Sequence, residues 1–402
     1  MHFRHVYAAT ALGLPVLGTA GAQGLDLTVN TVGIAIGNKP RVTGLRINFR
    51  DRGLEKVDGV NATIWVPYEP ISGTVKGIAL GLPVTGAANI DGIGAGLLGF
   101  GAGQSITGIG VAPLGFGAGV SMTGLMIAGA GFGAGSDFSG IGVAGLGAGI
   151  GSSMEGILIG GLGVGVGSHA SGLIIGGLGA GVGSEFHGIG VGGLGLGIGD
   201  AMRGVTIGGI GVGIGNDMRG IAIGGVGVGV GNSSRGLAVG GVGVGVGSDF
   251  RGIEIGGIGI GAGGDAVGIM VGGLGVGVGH NLTGLVVSAG GVGAGGTIHG
   301  VAVGALGIAA PRIEGITASL GAGAQTAHAI VIAPIYFMIE GGDGELRGAA
   351  LSAWNRIQGS QHGLVIGLLN TARELHGIQI GLINVSENGG KRLVLPIIAA
   401  RH

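Results

Sequence analysis

Cysteine is absent from the 402 residues. That excludes disulfides and a lipidated N-terminal cysteine, and leaves stability to packing and hydrogen bonding. Aromatic residues make up 3% of the chain and prolines number 9, so few large side chains exist to fill a round interior. Charged residues are also scarce, at 10%, with a formal net charge of −1. Without a global positive field, nucleic acid is not an expected partner. No glycine-free apolar run is long enough for a transmembrane helix, which needs roughly 18 or more residues.

What is abundant is glycine, with 108 residues, beside an apolar fraction of 46%. From Gly92 to His299 the chain consists of thirteen uninterrupted copies of a 16-residue unit. One copy runs Gly204-Val205-Thr206-Ile207-Gly208-Gly209-Ile210-Gly211-Val212-Gly213-Ile214-Gly215-Asn216-Asp217-Met218-Arg219. Counting Gly204 as position 1, large apolar residues stand at 2 and 4, then at 7, 9 and 11, then at 15. Alternation of this kind means strand, since successive side chains point to opposite faces. The glycine pair at 5 and 6 predicts a corner that shifts the inward set from even to odd positions. A second corner is expected at 12 to 14, where Gly is followed by Ser, Asn, Asp or Gly.

The expected fold is therefore all-β, a parallel β-solenoid of about 16-residue, two-strand, glycine-rich coils with irregular capping coils. Coils stacked at the usual inter-strand spacing would carry thirteen repeats over about 60 Å. Degenerate copies begin at Gly44, Gly59 and Gly77 upstream, and at Gly315, Gly348, Gly363 and Gly377 downstream. The reading divides the chain into a signal peptide at 1–22, an N-terminal region of degenerate repeats and cap at 23–91, the regular array at 92–314, and a C-terminal degenerate region and cap at 315–402. The leader rests on Arg4, the apolar run from Val6 to Leu17 and the small residues Ala20-Gly21-Ala22. It predicts an exported protein, in the periplasm, associated with the outer membrane or at the cell surface.

Two C-terminal segments, Gly363-Leu364-Val365-Ile366-Gly367-Leu368-Leu369-Asn370 and Gly377-Ile378-Gln379-Ile380-Gly381-Leu382-Ile383-Asn384, resemble a family of bacterial exported proteins with short surface repeats of the form G-[IL]-x-[IL]-G-L-x-N. The match covers the last two coils, and the central array differs by its Gly-Gly step and lack of Asn. The resemblance implies an exported or cell-surface repeat protein with no assigned activity.

Position 16 of successive copies brings Arg203, Arg219, Arg235 and Arg251 to one edge, a polyanion-binding candidate because forked guanidinium donors suit acidic groups. Glu185, Asp200, Asp217, Asp249 and Asp265 lie nearby and predict competition for the same donors, giving a zwitterionic, solvated edge. Histidines 169, 187, 280 and 299 lack metal-ligand spacing, and no metal or cofactor is expected. Glycine strings such as Gly161 to Gly167 lack the strand-to-helix context of a nucleotide fingerprint. The acidic group Glu340, Asp343 and Glu345 reads as a turn, Glu374 and His376 read as a polar loop, and no catalytic residues are assigned.

The function expected is a non-enzymatic structural or surface scaffold that self-associates through bare glycine faces or meets an acidic glycan or other envelope component. The alternative is an outer-membrane β-barrel or pore. Against it stand the recurrence of one corner type every 16 residues and the lack of aromatic girdles.

Overall fold

The computed structural model describes residues 24–401, so the leader expected at 1–22 lies outside the described residues. The chain divides into two compact units, 24–194 and 195–401 in their described residues. The fold is all-β, a parallel β-solenoid of roughly 16-residue coils.

Each coil of the regular array contributes one long strand and one short strand. In the second unit these are Met202–Gly208 and Gly211–Ile214, then Met218–Gly224 and Gly227–Val230. Long strands pair in parallel with long strands and short with short, so that Gly204 stands opposite Gly220, and Val212 opposite Val228. The first unit repeats the pattern, with Ser121–Ala128 on Asp137–Ala144 and Gly115–Ala118 on Gly131–Ala134. A membrane barrel of the up-and-down type pairs consecutive strands antiparallel; these ladders do not. Antiparallel strands occur near the chain termini instead, where Leu25–Val29 lies against Val32–Ile36 in the first unit and Leu393–Arg401 against Leu369–Ser386 in the second.

The inward set differs from the one expected. Buried positions in the copy beginning at Gly204 are 3, 5, 9, 11 and 15, namely Thr206, Gly208, Val212, Ile214 and Met218. Every one is odd, so the glycine pair at 5 and 6 introduces no phase slip. Positions 2 and 4, expected in the core, stand on the outside of the long strand: Ile207 is 39% exposed, and Ile253 and Ile255 both 40%. Position 7 sits at the glycine corner and is exposed as well, as in Ile210 and Val226.

Position 3 is buried although its residues range from Gly to Met, and the facing short strand supplies the reason. In the first unit Gly94 faces Phe100: a Cβ on Gly94 would fall 2.5 Å from that ring, and one on Gly110 would fall 2.9 Å from Phe116. Where position 3 is large, as in Ile174, position 9 is Ala180. The two-layer core thus keeps its thickness by exchanging volume across the gap, as close packing requires. Phe100, Phe116 and Phe132 stack with centroid separations of 4.5 and 5.5 Å.

Position 1 fixes the glycine register. Gly220 has φ +131°, and a Cβ there would lie 2.0 Å from the carbonyl oxygen of Gly204 in the coil below. The upstream copies at Gly44, Gly59 and Gly77 fall in this register, and so does Gly33, which the sequence reading missed. Downstream, a further missed coil carries Ala329 between Gly315 and Gly348.

Toward the ends the core turns polar. In the first unit the fully buried Arg46 pairs with Asp51, donates to Asn61 Oδ1 at 2.8 Å and to the Lys39 carbonyl at 2.9 Å, and is thereby satisfied. In the second unit Asn355 Nδ2 donates to Asn370 Oδ1, and Asn370 Nδ2 to Asn384 Oδ1, both at 2.8 Å. The asparagines of the two G-[IL]-x-[IL]-G-L-x-N segments are therefore an internal ladder, completed where Asn384 Nδ2 donates to the Leu395 carbonyl.

Candidate functional site

In the second unit, the outer surface of each coil from Gly204 to His299 follows from the odd inward register. On the short-strand side, positions 8 and 10 are glycine, so the sheet presents almost bare backbone. At position 10 this is not forced by the fold. A Cβ on Gly213, Gly229, Gly245 or Gly261 would meet nothing within 4 Å, and none has a left-handed φ. Glycine in a strand is entropically costly and packs nothing, so its recurrence there keeps a face flat without serving the coil itself.

The long-strand side is built differently. Its outward positions are 16, 2 and 4, which gives a row of Arg203, Arg219, Arg235 and Arg251 beside two rows of Val, Ile and Leu. Arg203 stands directly opposite Arg219, Arg219 opposite Arg235, and Arg235 opposite Arg251, so the four form one ladder within the long strands. The acidic neighbours act on the arginines only at longer range, Arg219 and Arg251 adding a small Coulomb attraction to Asp217 and Asp265. Among the described residues, no ion pair within 4.0 Å involves any of these four arginines.

The carboxylates are occupied at the polar corner. Asp217 Oδ1 accepts from Ser233 Oγ at 2.6 Å and from Asn232 Nδ2 at 2.9 Å, and Asp265 Oδ1 accepts from the Asn281 backbone N–H and side chain, both at 3.0 Å. The Ser233 hydroxyl bond holds the Asp217 carboxyl below its usual range, and the Asn281 backbone bond does the same for Asp265. Asn216 Nδ2 donates to Asp200 Oδ1 and the Asp265 N–H to Asp249 Oδ1, so the corner is an Asx ladder tying each coil to the next.

Position 16 continues in the second unit as Val267, Thr283, His299, Glu314, His328, Arg347, His362 and His376. Glu345, read from sequence as part of a turn, is in a strand and gathers three of these groups. Its carboxylate lies 2.6 Å from Arg347 Nε and 3.5 Å from both His328 Nε2 and His362 Nε2. The Arg347 bond holds this carboxyl below its usual range. His376, read as part of a loop, also lies in a strand and stacks on His362 at 4.9 Å. Glu340 and Asp343 do fall in a loop and turn, and Glu374 shares the strand of His376.

Of the other histidines, His299 meets Glu314 at 3.0 Å, His280 lies at the polar corner of the second unit, and His169 and His187 belong to the first. Among the described residues no group of three or more His, Asp and Glu is arranged to hold a metal ion.

Sequence reasoning missed Glu254. It occupies inward position 3 between Ala238 and Met270 in the ladder, is 0% exposed, and neither carboxylate oxygen has a hydrogen-bond partner. Burial pushes its pKa up to about 8, so the carboxyl is protonated at neutral pH. With positions 2 and 4 expected in the core, position 3 falls on the outer face, where an acid gives no signal.

Comparison with protein-family models, with curated proteins and with solved structures finds no match.

Proposed function

We propose that the chain is an exported, non-enzymatic scaffold of the cell envelope or surface, built to associate laterally through its bare glycine faces and to meet acidic envelope material along its arginine edge. The observation that carries this reading is glycine at position 10 where the fold leaves room for a side chain. A flat backbone surface lets a second sheet approach closely, as in dry stacked sheets. Coils repeating one corner and one core pattern also put no set of unlike reactive groups into a common cleft, which favours a structural role over a catalytic one.

The resemblance of the last two coils to exported surface-repeat proteins supports the location, as do Arg4 and the apolar run behind it. Cell fractionation tests it. Recovery with the envelope and release by salt are expected, whereas recovery in the cytosol, or heat-modifiable migration of a detergent-extracted protein, overturns the reading.

A further inference from the structure

The long-strand face of the second unit combines two things that soluble surfaces keep apart. One is a ladder of four stacked, unpaired arginines, in which like charges stand directly opposite one another, an arrangement unfavourable in isolation. The other is a pair of parallel aliphatic rows on the same face, with Ile207, Ile223, Ile255 and Val271 each 37–40% exposed. Contiguous apolar surface on this scale marks an interaction site. Neighbouring outward positions on a strand lie two residues apart, so about 7 Å separates the arginine row from the first aliphatic row.

We propose that this face binds an anionic lipid surface, the guanidinium ladder at the headgroup phosphates and the aliphatic rows at the acyl boundary. A cationic margin beside an apolar face is the arrangement by which interfacial segments lie in a membrane plane. An acidic glycan would answer the arginines and leave the aliphatic rows in water. A second copy would cover the rows but brings only scattered acids such as Glu155 to the arginines, where a headgroup surface supplies phosphates along the whole ladder. The first unit shows that the charge is not a by-product of the repeat. Its position 16 reads Thr107, Thr123, Ser139, Glu155, Ser171 and His187, with no arginine, beside aliphatic rows of the same kind.

The binding itself rests on this surface alone; the exported location decides only where such a membrane is met. The test is therefore made on the purified chain with vesicles, apart from cell fractionation. Co-sedimentation is measured with phosphatidylcholine vesicles containing phosphatidylglycerol, and with phosphatidylcholine alone. Retention is expected on the anionic vesicles only, falling with added salt. Arg203→Ser, Arg219→Ser, Arg235→Ser and Arg251→Ser together should weaken it roughly a hundred- to a thousandfold, from the contribution of each arginine near a headgroup surface. Ile207→Thr, Ile223→Thr, Ile255→Thr and Val271→Thr together should weaken it at least about tenfold.

Thr at the corner positions Ile210, Val226 and Val242 should leave binding unchanged, which separates the face from general loss of hydrophobicity, and circular dichroism confirms that each variant retains its strands. Absence of binding to anionic vesicles overturns the proposal. So does binding that survives the Thr variants and is matched by dextran sulfate, which would make the site a simple polyanion edge. Concentration-dependent dimerisation abolished by the Thr variants, without vesicle binding, overturns it in favour of a second copy.

Discussion

Arg235 stands directly opposite Arg251 in adjacent parallel strands, with Arg219 on its other side and no carboxylate in ion-pair range of any of the three. Like charges in cross-strand opposition repel, while unlike ones attract by about 0.2–1 kcal/mol per pair. Arg235→Glu converts two repulsions into two attractions. The variant is expected to melt higher than the parent in low salt, and the gap should close as salt is added. A parent that melts at the same temperature from low to high salt would show that the ladder carries no strain.

Glu254 sets a pH dependence whose sign follows from its raised pKa. Below about 4.5, its ordinary value, the carboxyl is protonated in both folded and unfolded chains and contributes no difference. Between there and about 8 the folded state keeps a proton that the unfolded state has released, so stability falls as pH rises and levels off above 8. The full difference is roughly 4–5 kcal/mol at 1.36 kcal/mol per unit. Glu254→Met, matching Met270 in the same row, should remove most of this slope. Denaturant melts of the two proteins should diverge steadily from pH 5 to 8; parallel curves would refute the assignment.

Two glycine classes of equal frequency should respond in opposite ways. Gly220→Ala places a Cβ 2.0 Å from the Gly204 carbonyl oxygen at φ +131° and should cost roughly 1–3 kcal/mol or more. Gly213→Thr, Gly229→Thr and Gly245→Thr enter open space and should be neutral or stabilise by up to about 1 kcal/mol each. If the bare face mediates lateral association, the same threonines should abolish it in sedimentation velocity while the melting temperature holds or rises.

Asn370 is buried and serves three neighbours, Asn355, Asn384 and the Ile380 carbonyl. Asn370→Leu strips Asn384 Oδ1 of its donor, while Asn355 Nδ2 keeps the Ser352 and Ile366 carbonyls and the Ile380 carbonyl keeps the Gly367 N–H, and should cost about 1–3 kcal/mol for the buried oxygen left unsatisfied. Thermal melts should show a loss well beyond the effect of losing one exposed polar residue, and an unchanged melting temperature would mean the ladder is dispensable.

The 16-residue register and the solenoid fold were legible because spacing survives any choice of side chain, and the arginine ladder followed from the same count. The inward face was not. Uniform Val, Ile and Leu at positions 2 and 4 read as core, whereas position 3 varies from Gly94 to Met126 and reads as surface. Its variation is compensated by the facing residue, as Gly110 is by Phe116, and that information lies across the gap between strands. The freedom of the arginines from ion pairs was likewise hidden, since proximity in sequence to Asp217 and Asp265 does not show that both are hydrogen-bonded to the following coil.

Within either unit, a coil of the regular array pairs with the coil before it and the coil after it, and the groups it offers on each side are those its neighbours offer in turn. Whole repeats are then interchangeable parts. Adding or removing whole coils would lengthen or shorten such an array without creating a new kind of contact. Reach becomes a heritable variable that can drift independently of the chemistry displayed along it.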